Sequence, residues 1–502
     1  MAKAIMVQGT ASNVGKSLLA AALCRIFRQD GYRVAPFKAQ NMALNSFITA
    51  DGLEMGRAQV VQAEAAGIAP DARMNPILLK PTSDSGSQVI LNGKAVGNRS
   101  AREYYAEKAA LRPAVQAAYD SLAADYDIIV IEGAGSPAEI NLKKDDFVNM
   151  GMAEMANAPV LLVGDINRGG VFASLYGTVA LLEEAEQARI AGLVINKFRG
   201  DLDILKPGLA MLEKLTRKPV LGVVPYRPFD IDDEDSLSER LSRDGEPALI
   251  TVAVPRLPRL SNFTDLDALD RIEGVCVRYV TRPDELASPD LIVLPGSKNT
   301  IADLLWLRQS GLEARIQRLA ASGVPIFGVC GGYQMMGQTV SDRERAENGG
   351  EIAGMGLLPV ETVFSAEKRT AQVEGVFETA GGLLAALSGR PFSGYEIHMG
   401  RTVRTGGAPL ARLSRNGMTV EDGCQHENCY GTYVHGIFDR AETAQAVVGA
   451  LFARRGLDPG TVRAFDAAAY RQQQYDALAG HVRASLDMKQ IYRILEDGIC
   501  RK

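Results

Sequence analysis

The chain of 502 residues has no excess of basic charge, no long apolar run and few cysteines, and each shortage removes a class of function. Lys and Arg number 55 against 60 Asp and Glu, a formal net charge of −5. That balance argues against a nucleic-acid partner held through its phosphates. No uninterrupted apolar segment approaches the length of a membrane span. Met1-Ala2-Lys3 leads directly into an apolar run, leaving no room for a signal peptide, so the expected compartment is the cytoplasm. Six scattered cysteines (24, 276, 330, 424, 429 and 500) do not form a disulfide framework and suit a reducing compartment. Internal repeats and low-complexity segments are also missing. Only four histidines occur, at 398, 426, 435 and 481, so each can be weighed as a base by its position.

What is present is an ordinary soluble composition, 46% hydrophobic and 23% charged, with length enough for about two to four domains. Short apolar runs alternate with helical stretches, the mark of α/β folds with parallel sheets. Ala4 to Val7, Asp127 to Ile131, Pro159 to Val163, Gly192 to Ile195, Val220 to Val224, Leu249 to Val254 and Leu291 to Leu294 suit buried strands. After Pro225 the pattern gives way to an acidic, non-periodic stretch through Asp235, with a second polar patch from Ser242 to Pro247. The expected organisation is a first domain over 1–228, a linker over 229–247, a second domain over 248–445 and a helical extension over 446–502.

Gln8-Gly9-Thr10-Ala11-Ser12-Asn13-Val14-Gly15-Lys16-Ser17 follows the first apolar run and precedes a helical run, Leu18 to Phe27. Strand, glycine loop and helix are the setting that a phosphate-binding loop needs. Backbone N–H groups of Gly9, Thr10, Asn13, Val14 and Gly15 can meet phosphates at the helix N-terminus, with Lys16 neutralising them and the Ser17 hydroxyl reaching Mg2+. Five residues, rather than the usual four, separate Gly9 from Gly15. In that spacing the loop resembles dethiobiotin synthetase and its relatives, which use ATP to phosphorylate a carboxylate or carbamate. Glu132-Gly133-Ala134-Gly135 also resembles the run after the matching strand in those enzymes, implying a magnesium role for Glu132. The alternative for Glu132 is an acid that favours a helix dipole. Lys38 sits where those enzymes carry a lysine near the transferred phosphoryl group. Val194-Ile195-Asn196-Lys197-Phe198-Arg199 has Arg199 where a guanine reader has aspartate, so adenine contacted by Asn196 is the expectation, against a polar strand cap.

Ile326-Phe327-Gly328-Val329-Cys330-Gly331-Gly332-Tyr333 runs from apolar strand into glycines, the arrangement that exposes a nucleophile on a sharp turn. A Cys330 thiolate there could attack a carbonyl, with Gly331 supplying an oxyanion N–H and Gly296, in Leu294-Pro295-Gly296-Ser297-Lys298, another. The bland reading is a buried, inert cysteine. Tyr430-Gly431-Thr432-Tyr433-Val434-His435-Gly436 supplies the general-base candidate. Cysteine, oxyanion loop and His435 stand in the order that class I glutamine amidotransferases show. Those enzymes usually read His-x-Glu, whereas Ile437 stands here. A Cys–His dyad is therefore expected, or an orienter borrowed from elsewhere, a backbone carbonyl or Glu396.

The two halves together resemble the cobalamin-pathway amidases, a family joining a dethiobiotin-synthetase-like P-loop domain to a class I glutamine amidotransferase domain. One branch amidates the a and c carboxylates of a corrinoid, the other the b, d, e and g carboxylates of the resulting a,c-diamide. The resemblance to the second branch spans nearly the whole chain, through the phosphate loop, Lys38 to Ser46 and Gly164 to Ala173. It implies ATP and Mg2+, a corrinoid and glutamine as substrates, an acyl phosphate, and ammonia from glutamine as its nucleophile. Asp146 is then a candidate on the acceptor side, or else an acid at a helix start, and Lys143, Lys144 and Arg168 could meet a poly-carboxylate or be surface charge. A CTP-synthase-like ligase would normally keep the missing glutamate, and a partitioning-type ATPase would not need Cys330 or His435.

Overall fold

The computed structural model describes residues 2–82, 86–231, 248–347, 349–378, 381–415 and 418–499. Of the linker expected at 229–247, the part from 232 onward, with Ser242 to Pro247, lies outside the described residues.

The first apolar run becomes the strand Lys3–Gly9 in a sheet of six parallel strands. Their order is Val220–Pro225, Ile190–Phe198, Val160–Asp165, Lys3–Gly9, Ile128–Glu132 and Val34–Phe37. The two strands beside Lys3–Gly9 are buried at every residue, as continuous apolar runs covered on both faces should be. Alternation sorts the layers: Ala4 and Met6 pack on one face, Ile5 and Val7 on the other. Beside this sheet stand a sheet of four strands, among them Ile77–Pro81 and Gly86–Leu91, and a ribbon of Ser46–Ile48 with Glu54–Gly56.

The second domain is built on the strand order Val275–Val280, Ile250–Pro255, Leu291–Leu294, Ile326–Val329, Cys429–Thr432 and Cys424–His426, parallel except for the last. Against it stands a sheet that the strand–helix alternation did not reveal. The strands Val360–Phe377 and Pro391–Arg404 form a long antiparallel pair, and Val434–His435 joins its edge. This second sheet carries the first domain's ribbon: Thr370 Oγ1 donates to Gly52 O at 2.8 Å, and Tyr395 OH to Ser46 O at 3.4 Å.

The helical extension divides between the domains. Ala441–Arg454 packs into the second domain's core through Val447, Val448 and Leu451. Ala467–Ser485 and Met488–Asp497 return to the first domain, where Tyr475, Leu478, Val482, Ile491 and Leu495 share a layer with the helix Lys16–Gln29. Arg25 bonds Asp476 at 2.8 Å, and Asp487 N reaches Leu221 O at 2.8 Å. Among the described residues no helix is long and apolar enough to cross a membrane.

Candidate active sites

In the second domain, the chain leaves the strand Ile326–Val329 at Cys330 with φ 51° and ψ −106°, a conformation costly for a residue with a Cβ. A short helix, Gly331–Met335, follows at once. Both glycines are demanded by close approach. A Cβ on Gly332 would collide with the Leu294 carbonyl, and one on Gly331 would stand 2.8 Å from Ser297 N. The strand end at Gly296–Ser297 is thereby pressed against the turn, and a Cβ on Gly296 would lie 3.1 Å from His435 Cε1. Cys330 with Gly331, Gly296 and His435 thus converge from three separate stretches of sequence.

His435 is almost fully buried, its ring stacked on Tyr395 with centroids 5.3 Å apart. Its Nδ1 lies 2.7 Å from Asp265 Oδ2, while Asp265 Oδ1 accepts Gly436 N–H at 3.0 Å. The second nitrogen is left for the Cys330 thiol, which raises the imidazole's pKa and whose Sγ also lies 3.5 Å from Ile397 O. Burial alone would pull the imidazole pKa down, yet the Asp265 carboxylate and the cysteine push it up to about 10. A thiol, an imidazole and a carboxylate therefore form a relay that can take and return a proton.

Asp265 corrects the expectation of a dyad or of Glu396 as orienter. Glu396 is committed elsewhere: Arg415 bonds one oxygen, and His398 Nε2 lies 3.6 Å from the other. His398 itself stacks on Tyr433 and sits beside the pocket, with burial pulling its pKa down. Ile437, in the usual glutamate position, is a buried core residue. Asp265 lies in a short 3-10 turn, Phe263–Leu266, with no periodicity or motif around it. The only available cue was an acid just beyond a strand in a domain lacking its expected glutamate.

In the first domain, Gly15 takes φ 101° immediately before the helix Lys16–Gln29. Lys16 Nζ arches back to Ala11 O at 2.9 Å and to Gly135 O at 3.1 Å, and so links the loop to the Glu-Gly-Ala-Gly run. Asn196 Nδ2 donates to Val14 O at 2.8 Å and Lys197 Nζ to Asn13 O at 2.6 Å, strapping the loop from behind. Lys197 also pairs with Asp165 at 3.1 Å. Arg199 stacks on Tyr226, 3.7 Å from the ring centroid.

Glu132, 1% exposed at its strand's end, gathers Ser17 Oγ at 2.8 Å, Lys38 Nζ at 3.0 Å and Gln62 Nε2 at 2.6 Å. Gln59 Nε2 stands 3.5 Å from the same carboxylate. The two glutamines were missed by sequence reading. Their signal was a pair of amides three apart on the helix Arg57–Ala66, facing one way and both buried. Asp146 goes the other way. Its oxygens accept Val148 N–H and Gly151 N–H, each at 2.8 Å, which is the helix-start reading rather than an acceptor-side one. Lys143 is held by Glu183 and Glu186.

These features define a class: a glutamine amidotransferase domain coupled to a nucleotide-binding domain. Family comparison agrees with both halves. Residues 5–237 match the CobQ/CobB/MinD/ParA nucleotide binding domain, and residues 251–443 the CobB/CobQ-like glutamine amidotransferase domain. Cobyric acid synthase of Ruminiclostridium cellulolyticum is 59% identical over 504 residues, covering 99% of this chain and 98% of the relative. The enzymes of the same name from Lachnoclostridium phytofermentans and Salmonella typhimurium are 55% and 52% identical, with 99% of this chain covered in each case and 100% and 99% of the relative. The chain belongs to the cobyric acid synthase family.

Proposed function

We propose that the protein amidates the b, d, e and g carboxylates of cobyrinic acid a,c-diamide, or of its adenosyl form, with ATP and glutamine. The observation that carries the acceptor is likeness at 52–59% identity, through both domains, to proteins named cobyric acid synthase. The geometry supports the chemistry. Cys330 gives its thiol proton to His435, and the thiolate attacks the side-chain carbonyl carbon of glutamine. N–H groups at Gly331 and Gly296 stabilise the oxyanion. The imidazolium, held by Asp265, returns a proton to the leaving nitrogen, and ammonia departs. Water then hydrolyses the thioester to glutamate.

In the first domain, a corrinoid carboxylate oxygen takes the γ-phosphoryl group of ATP, giving an acyl phosphate and ADP. Gly9, Thr10, Asn13, Val14, Gly15 and Lys16 cradle the phosphates, Lys38 follows the transferred group, and Asn196 lies against the loop for adenine. The carboxylate of Glu132 and hydroxyl of Ser17, 2.8 Å apart beside the loop, fit a hard divalent cation that takes most of its oxygens from phosphates and water. Magnesium bound there would supply charge neutralisation at the transferring phosphoryl. Ammonia attacks the acyl carbon and phosphate leaves. Ammonia must reach it shielded from water, since protonation would remove its nucleophilicity.

Mass spectrometry of corrinoid products tests the reading. Cobyrinic acid and its a,c-diamide are each incubated with Mg-ATP and glutamine, and in parallel with the Cys330→Ser variant and either glutamine or ammonium salt. Stepwise conversion of the a,c-diamide to cobyric acid is expected, lost in the variant with glutamine and rescued by ammonia. Amidation of cobyrinic acid that stops at the diamide would reassign the protein to a,c-diamide synthesis.

A further inference from the structure

The pocket in front of Cys330 and His435 is not made by the second domain alone. Lys80, at the end of the first-domain strand Ile77–Pro81, lines it together with Lys298, Glu347 and Lys368. Lys80 Nζ donates to Ser46 Oγ and to Glu54 Oε1, each at 2.9 Å, and the other oxygen of Glu54 accepts Lys368 Nζ across the domain boundary. Glu54 is only 1% exposed at its side chain, and Lys80 5%. The amide oxygen of Gln88, from the neighbouring first-domain strand, accepts both Lys368 at 3.0 Å and Lys298 at 3.1 Å.

The charges do not balance. Lys80 and Lys368 share one carboxylate, Glu54, and among the described residues Lys298 Nζ is hydrogen-bonded only to the neutral amide of Gln88. Glu347 uses one oxygen on Thr300 N–H at 2.7 Å and forms no ion pair with any of the three lysines. Burial and the two neighbouring lysines disfavour the Lys298 ammonium, and burial disfavours the Glu347 carboxylate, so each charged form gains from a ligand group of opposite sign. A low-dielectric pocket with surplus ammonium groups and a spare carboxyl oxygen is complementary to a small zwitterion.

We propose that Lys298 and Lys368 bind the α-carboxylate of glutamine and Glu347 its α-ammonium, with Gln88, Glu54 and Lys80 of the first domain positioning the two lysines. The proposal rests on Cys330 being the nucleophile toward glutamine. Its consequence is that the glutamine site is complete only while the two domains are docked, so glutamine is bound where the ammonia can be used.

Glutamine analogues that lack one charged group separate the contacts. Turnover is measured with glutamine, with 4-aminobutanamide (no α-carboxylate) and with 4-carbamoylbutanoate (no α-amine), each rate taken relative to the variant's own ammonia-driven rate. In Lys298→Met and Lys368→Met, KM for glutamine should rise about tenfold or more, since a charge-assisted hydrogen bond is lost. The preference for glutamine over 4-aminobutanamide should collapse by the same factor, and Lys368→Arg should restore part of it. Glu347→Gln should instead erase the preference over 4-carbamoylbutanoate, and Gln88→Leu should raise KM for glutamine with little change in kcat. Retention of both preferences in the lysine and glutamate variants overturns the proposal. If Lys368→Met does not fold, Lys298, which is bonded to Gln88 and not to the buried Glu54, decides by the same readout. Failure of the underlying reading looks different: glutamine-driven amidation would survive Cys330→Ser.

Discussion

Asp265 Oδ2 and His435 Nδ1 lie 2.7 Å apart although 170 positions separate them in the chain. The carboxylate holds the ring through Nδ1, which leaves the other nitrogen to serve Cys330, and it stabilises the imidazolium formed when the thiol gives up its proton. Asp265→Asn keeps the size of the side chain and removes that charge. Glutamine-driven amidation should fall by about 100-fold or more, as loss of the third triad member does elsewhere. The ammonia-driven rate, assayed on the same preparation, should remain near that of the parent. An equal fall of both rates would show that Asp265 serves folding rather than the relay.

The same pair predicts a pH signature in stability. His435 holds its proton to about 10 in the folded protein, against about 6.5 for an unperturbed histidine. Because the folded state binds this proton more tightly, the pair's contribution is full below about pH 6.5 and is lost as pH rises through about 10. Asp265→Asn should therefore lower the urea midpoint at pH 7, and the gap from wild type should narrow towards pH 10. A gap independent of pH would contradict the ion-pair account.

Both reactive loops were legible because their chemistry is local. A phosphate loop and a nucleophile turn each need strand, glycines and helix within about fifteen residues, and the structure puts Gly15–Lys16 and Cys330–Gly331 at those junctions. The strand runs at 127–131, 291–294 and 326–329 were readable because parallel strands covered on both faces are continuously apolar. Asp265, Gln59 and Gln62 were not, since each acquires its meaning only from a partner brought near by folding. The antiparallel pair Val360–Phe377 and Pro391–Arg404 was missed for another reason. Much of Val360–Phe377 alternates polar and apolar around exposed Glu and Arg, so no apolar run announced it.

Glu132 should separate the two halves of the reaction. Its carboxylate collects Ser17, Lys38 and Gln62, and Lys38 is itself almost fully buried. Glu132→Gln removes the charge that the Lys38 ammonium bonds and weakens the place for a divalent cation. Amidation should drop by about 100-fold or more with glutamine and with ammonia alike, whereas Cys330→Ser should lose only the former. Ammonia-driven product formation at the parent rate in Glu132→Gln would remove Glu132 from the phosphorylation site.

The C-terminal helices give the last prediction, one about stability. Leu478 and Ile491, 3% and 0% exposed, fill the layer over the phosphate-loop helix, some 450 residues away in sequence from Leu23 and Phe27. Their burial joins the end of the chain to the first domain, so they should contribute to that domain's unfolding and not to the second's. Leu478→Ala removes a buried side chain with little room to collapse around it and should cost about 2–5 kcal/mol. In urea, followed by nucleotide-analogue fluorescence for the first domain and by Cys330 alkylation for the second, the first transition should move to lower denaturant. A matched change in the other core, Leu451→Ala on the helix Ala441–Arg454, should move the second transition instead. If both substitutions shifted both transitions equally, the two cores would unfold as a single cooperative unit, and the division of the helical extension would carry no energetic meaning.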